Sequence, residues 1–221
     1  MKIVKLLKPN LKLNLSLLFF LSFISLSYSQ TTYFVKEVEN IRDLSIRFCF
    51  DSNGKVDSIA VREDKTDYTD QKIIDEIIKQ IRLVVVPDTG NVRNNCHEER
   101  FLFVNPTLQY CSLKPEEFKQ LEKFKSGKFK YLSASNDSAL ITRTGNEQLE
   151  TYANEFMRFE IVWVEPNIYT LKLVEVAMKG TIIDKGETIA VEIIKIIDPD
   201  TYVYRSLLLG VEIYGIIRKV E

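Results

Sequence analysis

Apolar and polar residues alternate along much of the chain with the period of two that marks a half-buried strand. Leu44, Ile46, Phe48 and Phe50 alternate with Ser45, Arg47, Cys49 and Asp51, and Ser52-Asn53-Gly54-Lys55 then supplies a tight turn before 56–63 returns as a second strand. The period changes at Ile73, Ile74, Ile77, Ile78 and Ile81, which recur on one helical face behind Thr69 or Asp70 as a cap. Asp70, Asp75 and Glu76 sit early in that segment and Lys79 and Arg82 late, in keeping with the helix dipole. Val84-Val85-Val86-Pro87 leads into a polar loop, and 101–108 reads as a third strand. The order is ββαβ, a small antiparallel sheet with one helix on one face.

The second half is patterned differently. Lys114-Pro115-Glu116-Glu117 opens a short helix with Phe118, Leu121 and Phe124 as its apolar stripe and Gly127 at its end. Beyond it, strands are predicted over 128–132, 139–143, 149–156, 157–164, 169–176, 188–197, 201–206 and 211–218. Turns at Ser135-Asn136-Asp137, Thr144-Gly145-Asn146, Glu165-Pro166-Asn167, Asp184-Lys185-Gly186 and Asp198-Pro199-Asp200 divide them. Met157, Phe159, Ile161 and Trp163 share one face, whereas Ile189, Val191 and Ile193 oppose Ala190, Glu192 and Ile194, as in a strand covered on both sides. Consecutive strands on short turns form an antiparallel meander, which curls into a barrel or a strongly bent sheet to hide its edges. The fold class is therefore α+β, with one domain over 30–112 and a second, expected to fold alone, over 113–221.

Residues 1–29 read as a signal peptide. Lys2, Lys5, Lys8 and Lys12 form a basic start, an apolar run covers 13–26, and Ser27 and Ser29 stand at the −3 and −1 positions before Gln30. The apolar run is short of the ~20 residues of a spanning helix. Removing it takes out four lysines and no acids, which shifts the formal charge of the 221-residue chain from −1 to −5. An acidic exported product has no electrostatic footprint for nucleic acid or an anionic membrane. The expectation is a periplasmic or secreted protein that is not an integral membrane protein after cleavage. At 45% hydrophobic and 28% charged residues, the composition is that of a globular chain and excludes disordered or fibrous classes.

Ile46-Arg47-Phe48-Cys49-Phe50-Asp51, Asn53-Gly54-Lys55-Val56, the isoleucine helix and the Val86-Pro87 step together resemble the TonB C-terminal domain over about a third of the chain. That resemblance implies a protein-binding module of the bacterial cell envelope that grips its partner by strand pairing. Ser126-Gly127-Lys128-Phe129-Lys130-Tyr131, Ile161-Val162-Trp163-Val164 with Pro166, Tyr169 and Leu171, and Val191-Glu192-Ile193-Ile194-Lys195-Ile196 resemble short uncharacterised bacterial β-meander proteins. This second resemblance implies a fold and no activity.

Candidate chemistry is sparse. Cys96 and His97 are adjacent, and the remaining cysteines are too distant for zinc-ligand spacing, so no metal or cofactor is expected. The glutamates at 147, 150, 155, 160 and 165 read as solvating groups on polar strand faces, and no Gly-rich phosphate loop or nucleophile elbow is present. The chain is expected not to be an enzyme. In an oxidising compartment three cysteines allow three pairings. Cys49–Cys96 is the preferred one, because an antiparallel third strand would begin beside the end of the first.

Two functional expectations follow. The first is an interaction protein that adds a partner strand to an open edge at Phe101-Leu102-Phe103-Val104, a run without a guarding charge. The second is a carrier of a small apolar or amphiphilic ligand in the barrel, with Arg143, Trp163, Tyr169, Tyr202, Tyr204, Arg205 and Tyr214 as candidate lining residues. Mass spectrometry of the native protein should find a mature chain beginning at Gln30; an intact 1–29 segment would remove the basis for export.

Overall fold

The computed structural model describes residues 5–6, 30–87, 92–134, 139–178, 183–208 and 210–221. The body of the expected signal segment and the expected turn at Ser135-Asn136-Asp137 lie outside the described residues.

The isoleucine repeat forms α1 (Gln71–Arg82), whose buried face is Ile74, Ile77 and Ile81. Asp70 caps it, accepting from the Lys72 N–H at 3.1 Å and the Ile73 N–H at 3.3 Å. The helix lies on a sheet built from β1 (Lys5–Leu6), β2 (Gln30–Phe34), β3 (Ile41–Phe50), β4 (Val56–Val61) and β5 (Cys96–Val104), in the order β1-β2-β5-β3-β4. The β3–β4 hairpin and the antiparallel β3–β5 pair follow the sequence pattern. The sheet is mixed rather than antiparallel, because β2 enters parallel to β5, Gln30 facing Arg100 and Phe34 facing Val104.

This parallel neighbour overturns the expectation of an open edge at Phe101-Leu102-Phe103-Val104. β5 lies between β2 and β3, and all four residues are 0% exposed. Phe101 and Phe103 belong to the core under α1, together with Leu44, Ile46, Phe48 and Tyr33. Leu102 and Val104 point the other way, into a cluster with Phe34, Ile41 and Leu108. The run carries no charge because it is a central strand covered on both faces, the pattern of a fully buried strand. Cys49 and Cys96 face each other across β3 and β5 and are joined by a disulfide; Cys111 is unpaired.

The second half is a closed antiparallel barrel of eight strands: β6 (Gly127–Tyr131), β7 (Ala139–Thr144), β8 (Glu147–Tyr152), β9 (Glu155–Glu165), β10 (Ile168–Ala177), β11 (Thr188–Asp198), β12 (Thr201–Leu208) and β13 (Val211–Lys219). Each strand pairs with the next, and β13 closes the ring on β6. The expected strands 149–156 and 157–164 are divided at Ala153-Asn154, where Ala153 takes a φ of 51°. A non-glycine residue in that region is uncommon, and the sequence around it carries no glycine or proline to mark the turn. The expected short helix is present as two 3-10 turns, Pro115–Gln120 and Glu122–Phe124. The break between them lets Leu121 and Phe124 bury completely in one end of the barrel, where the Phe124 ring lies 4.7 Å from Tyr202.

The two cores meet. Ile194, Val203 and Tyr214 on the outer barrel wall pack against Phe34, Ile41, Leu102 and Val104 of the sheet. Arg205 donates to the Gln109 carbonyl at 3.1 Å, and Lys195 to Asn40 Oδ1 at 2.7 Å, at the same joint. Among the described residues no helix is long and apolar enough to cross a membrane.

The central position of β5 sets a stability expectation. Leu102→Ala should cost about 2–5 kcal/mol, the range for truncating a fully buried leucine, whereas an exposed edge position would change stability by about 0.5 kcal/mol or less. Denaturant unfolding of the two chains distinguishes these outcomes.

Candidate functional site

The barrel interior falls into two layers. At the plugged end Arg143 on β7 is 1% exposed, and each of its three guanidinium nitrogens donates a hydrogen bond. Its Nε donates to Gln148 Oε1 at 2.7 Å, one terminal nitrogen to the Phe124 carbonyl at 3.0 Å, and the other to the Tyr169 hydroxyl at 2.9 Å. The Phe129 and Tyr169 rings flank it, their centroids 4.8 and 4.9 Å away. The Trp163 ring lies tilted against Tyr169, centroids 4.7 Å apart, and the Lys125 ammonium lies 5.5 Å from the Trp163 centroid. This layer is a packed floor.

Above the floor is a cavity of about 260 Å³. Phe159, Leu171, Ile189 and Val191, on β9 to β11, give it an aliphatic and aromatic stretch, which Leu208 on β12 and Ile213 on β13 extend. Tyr131 on β6, Gln148, Glu150 and Tyr152 on β8, and Tyr204 and Ser206 on β12 supply its polar groups. Gln148 connects the layers: while its carbonyl oxygen accepts from Arg143, its Nε2 donates to Glu150 Oε1 at 2.7 Å. Tyr131 donates to the same oxygen at 2.9 Å, and Tyr152 to Oε2 at 2.7 Å. All three partners donate, so the Glu150 carboxylate acts only as an acceptor. Burial first, and the neighbouring Glu150 second, push the Tyr131 and Tyr152 hydroxyls well above the usual tyrosine range.

Glu150, at 4% exposure, corrects the reading of the strand glutamates as solvating groups. The hairpin that carries it explains the inversion. Gly145 and Asn146 make a two-residue turn, with Thr144 facing Glu147 and Arg143 facing Gln148. A residue opposite Arg143 shares its face, and so do those at even spacing beyond. Gln148, Glu150 and Tyr152 therefore point inward with Arg143, while Leu149 lies on the outside. The turn and the arginine together were the available signal.

The candidate lining residues divide accordingly. Tyr169 and Tyr204 line the cavity; Tyr214 borders it from β13, but its ring lies on the outer wall against Phe34. Arg143, Trp163 and Tyr202 lie inside the barrel but below it, in the packed floor, and do not line it. Arg205 is on the outer face, paired with Glu192 at 2.6 Å. Arg100 reaches the cavity from the sheet, a contribution not foreseen: it donates to Asp43 at 2.6 Å and to Ser133 at 2.8 Å, and so bridges sheet and barrel. Gly215 makes room for the Tyr204 ring opposite it, since a Cβ there would lie 2.5 Å from the ring. His97 is apart from all of this, 3.3 Å from the Val92 carbonyl and against Phe50. Among the described residues no group of three or more His, Cys, Asp or Glu could hold a metal ion.

No family model, no curated protein and no solved structure matches this chain.

The buried phenols make stability depend on alkaline pH. Burial raises Tyr131, Tyr152, Tyr169 and Tyr204 above the ordinary value of about 10, so the native state keeps protons that the unfolded chain releases. This stabilisation is complete below pH about 10 and is lost as the pH rises further. In an alkaline titration these hydroxyls should ionise together with the loss of β-type circular dichroism; ionisation with the fold intact would contradict the buried placement.

Proposed function

We propose that this chain is an exported, non-enzymatic carrier whose barrel holds a small amphiphilic molecule. The observation that carries the reading is the cavity inside a closed barrel, with aliphatic side chains from β9 to β11 and a carboxylate and tyrosines from β6, β8 and β12 around it. Ligand sites are typically mostly apolar with a few convergent polar groups, and this interior has that composition. A barrel built only for stability would fill the space with side chains, as the floor around Arg143 does. Export is supported by the three-part pattern of residues 1–29 and by the Cys49–Cys96 bond, which persists in an oxidising compartment. Cleavage before Gln30 would leave β2 whole, since that strand begins at Gln30.

A protein partner at the cell envelope is the second reading, and it rests on a different strand from the one expected. β4 is the outermost strand on its side of the sheet, and its outer neighbour among the described residues is a single bridge from Lys55 to Val85. Strand addition would occur there. Asp57 lies on that strand and works against promiscuous pairing.

The carrier reading is tested by filling the cavity. Met157 lines it. Met157→Trp should leave the β-type spectrum unchanged and lower the affinity for an environment-sensitive apolar dye by about tenfold, a loss of about 1.4 kcal/mol. Equal dye binding by the two folded chains would place the dye on the surface and count against the carrier reading.

A further inference from the structure

The cavity also carries information about the head group of its ligand. Resting on the carrier reading, we propose that the ligand is a small amphiphile ending in a cationic amine, seated on Glu150. The two carboxylate oxygens are not equally used. Oε1 accepts from Gln148 and Tyr131, whereas Oε2 accepts from Tyr152 alone. Each carboxylate oxygen has about two acceptor positions. Among the described residues one position on Oε2 is therefore left, on a side chain that lines the cavity.

The charges around the site favour a cation in that position. Among the described residues no cationic side chain pairs directly with Glu150: Arg143 reaches it through Gln148, and the Arg100 guanidinium is engaged by Asp43 and Ser133. A carboxylate without a direct counter-ion in a partly dry site repels an anionic head group and offers an alcohol one neutral hydrogen bond. An ammonium brings three donors and a compensating charge, and its bond to Oε2 is the stronger, charge-assisted kind. Tyr131, Tyr152 and Tyr204 line the same cavity, and aromatic surroundings of this kind also favour an ammonium group. Phe159, Leu171 and Val191, on β9 to β11, would receive the hydrocarbon part.

The test uses the full chain and three probes of equal length, octylamine, octanol and octanoate, each titrated against a bound apolar dye or followed by calorimetry. Octylamine should bind at least about tenfold more tightly than octanol, the difference between a charge-assisted and a neutral hydrogen bond in a buried site, with octanoate the weakest. Glu150→Gln keeps the shape and an acceptor oxygen while removing the charge. It should abolish the advantage of octylamine and leave octanol binding within about threefold. A wild-type ranking in which octanol or octanoate equals or exceeds octylamine overturns the amine assignment and leaves the carrier reading standing. An octylamine preference that survives in a folded Glu150→Gln chain moves the seat away from Glu150 and overturns the proposal. Failure of all three probes to enter the barrel overturns the carrier reading itself. The wild-type ranking requires no variant, so it decides the matter even if Glu150→Gln does not fold.

Discussion

Taking the Arg143 guanidinium and the Glu150 carboxylate out of water costs several kcal/mol each unless their protons and lone pairs are met inside the barrel. The two groups do not touch. Gln148 stands between them with its oxygen toward the arginine and its nitrogen toward the glutamate, an orientation that both neighbours impose. Tyr169 and the Phe124 carbonyl complete the arginine's side, and Tyr131 and Tyr152 most of the glutamate's. The interior therefore depends on one connected polar chain carried by a single hairpin, β7–β8, and removing any member would leave a buried polar partner with one bond fewer. The same chain separates the barrel's layers: around Arg143 the space is filled, and beside Glu150 there is a cavity.

The sheet contributes to this arrangement from outside. Its α1 face is closed by the isoleucines of the helix, and its other face by Ile194, Val203 and Tyr214 of the barrel wall. β5 lies at the centre of both contacts. Arg100, four residues before Val104 on that strand, extends past the joint to the barrel and is anchored there by Ser133. Asp43, buried at 2%, keeps that guanidinium in place. A side chain of the sheet thus forms part of the cavity wall, so the two halves share a site as well as an apolar contact. The free energy of any ligand bound there is linked to how the halves are held together.

Most of the barrel was legible in the sequence because its strands alternate and its turns carry glycine, proline, asparagine or aspartate. The turn at Ala153-Asn154 has only Asn154 to mark it, with the positive φ on Ala153, and was missed. β2 was missed for another reason: Thr31, Thr32, Tyr33 and Phe34 have strong strand propensity, but five residues next to an apparent cleavage point carry too short a pattern to be read. That omission produced the misplaced edge, since a neutral run such as Phe101–Val104 describes either an unguarded border or a strand buried on both faces, and only the number of its neighbours separates the two. In the candidate site, Arg143 was visible as a charge in an apolar strand. Glu150 was not, because β8 reverses the usual order and turns its polar residues inward, with Leu149 outside.

That reversal bears on how the barrel came to have a cavity. A strand whose inward positions are Gln148, Glu150 and Tyr152 cannot be packed by hydrocarbon, because each polar group needs a partner with defined geometry. Tyrosine meets this demand twice over, its hydroxyl donating to the carboxylate while its ring fills space. Tyr204 uses the remaining width only because Gly215 has no side chain where the ring lies. β8 lines the space with polar groups, and β9 through β11, which follow it round the ring, line it with apolar ones. Such a space is suited to a molecule that is itself polar at one end and apolar at the other.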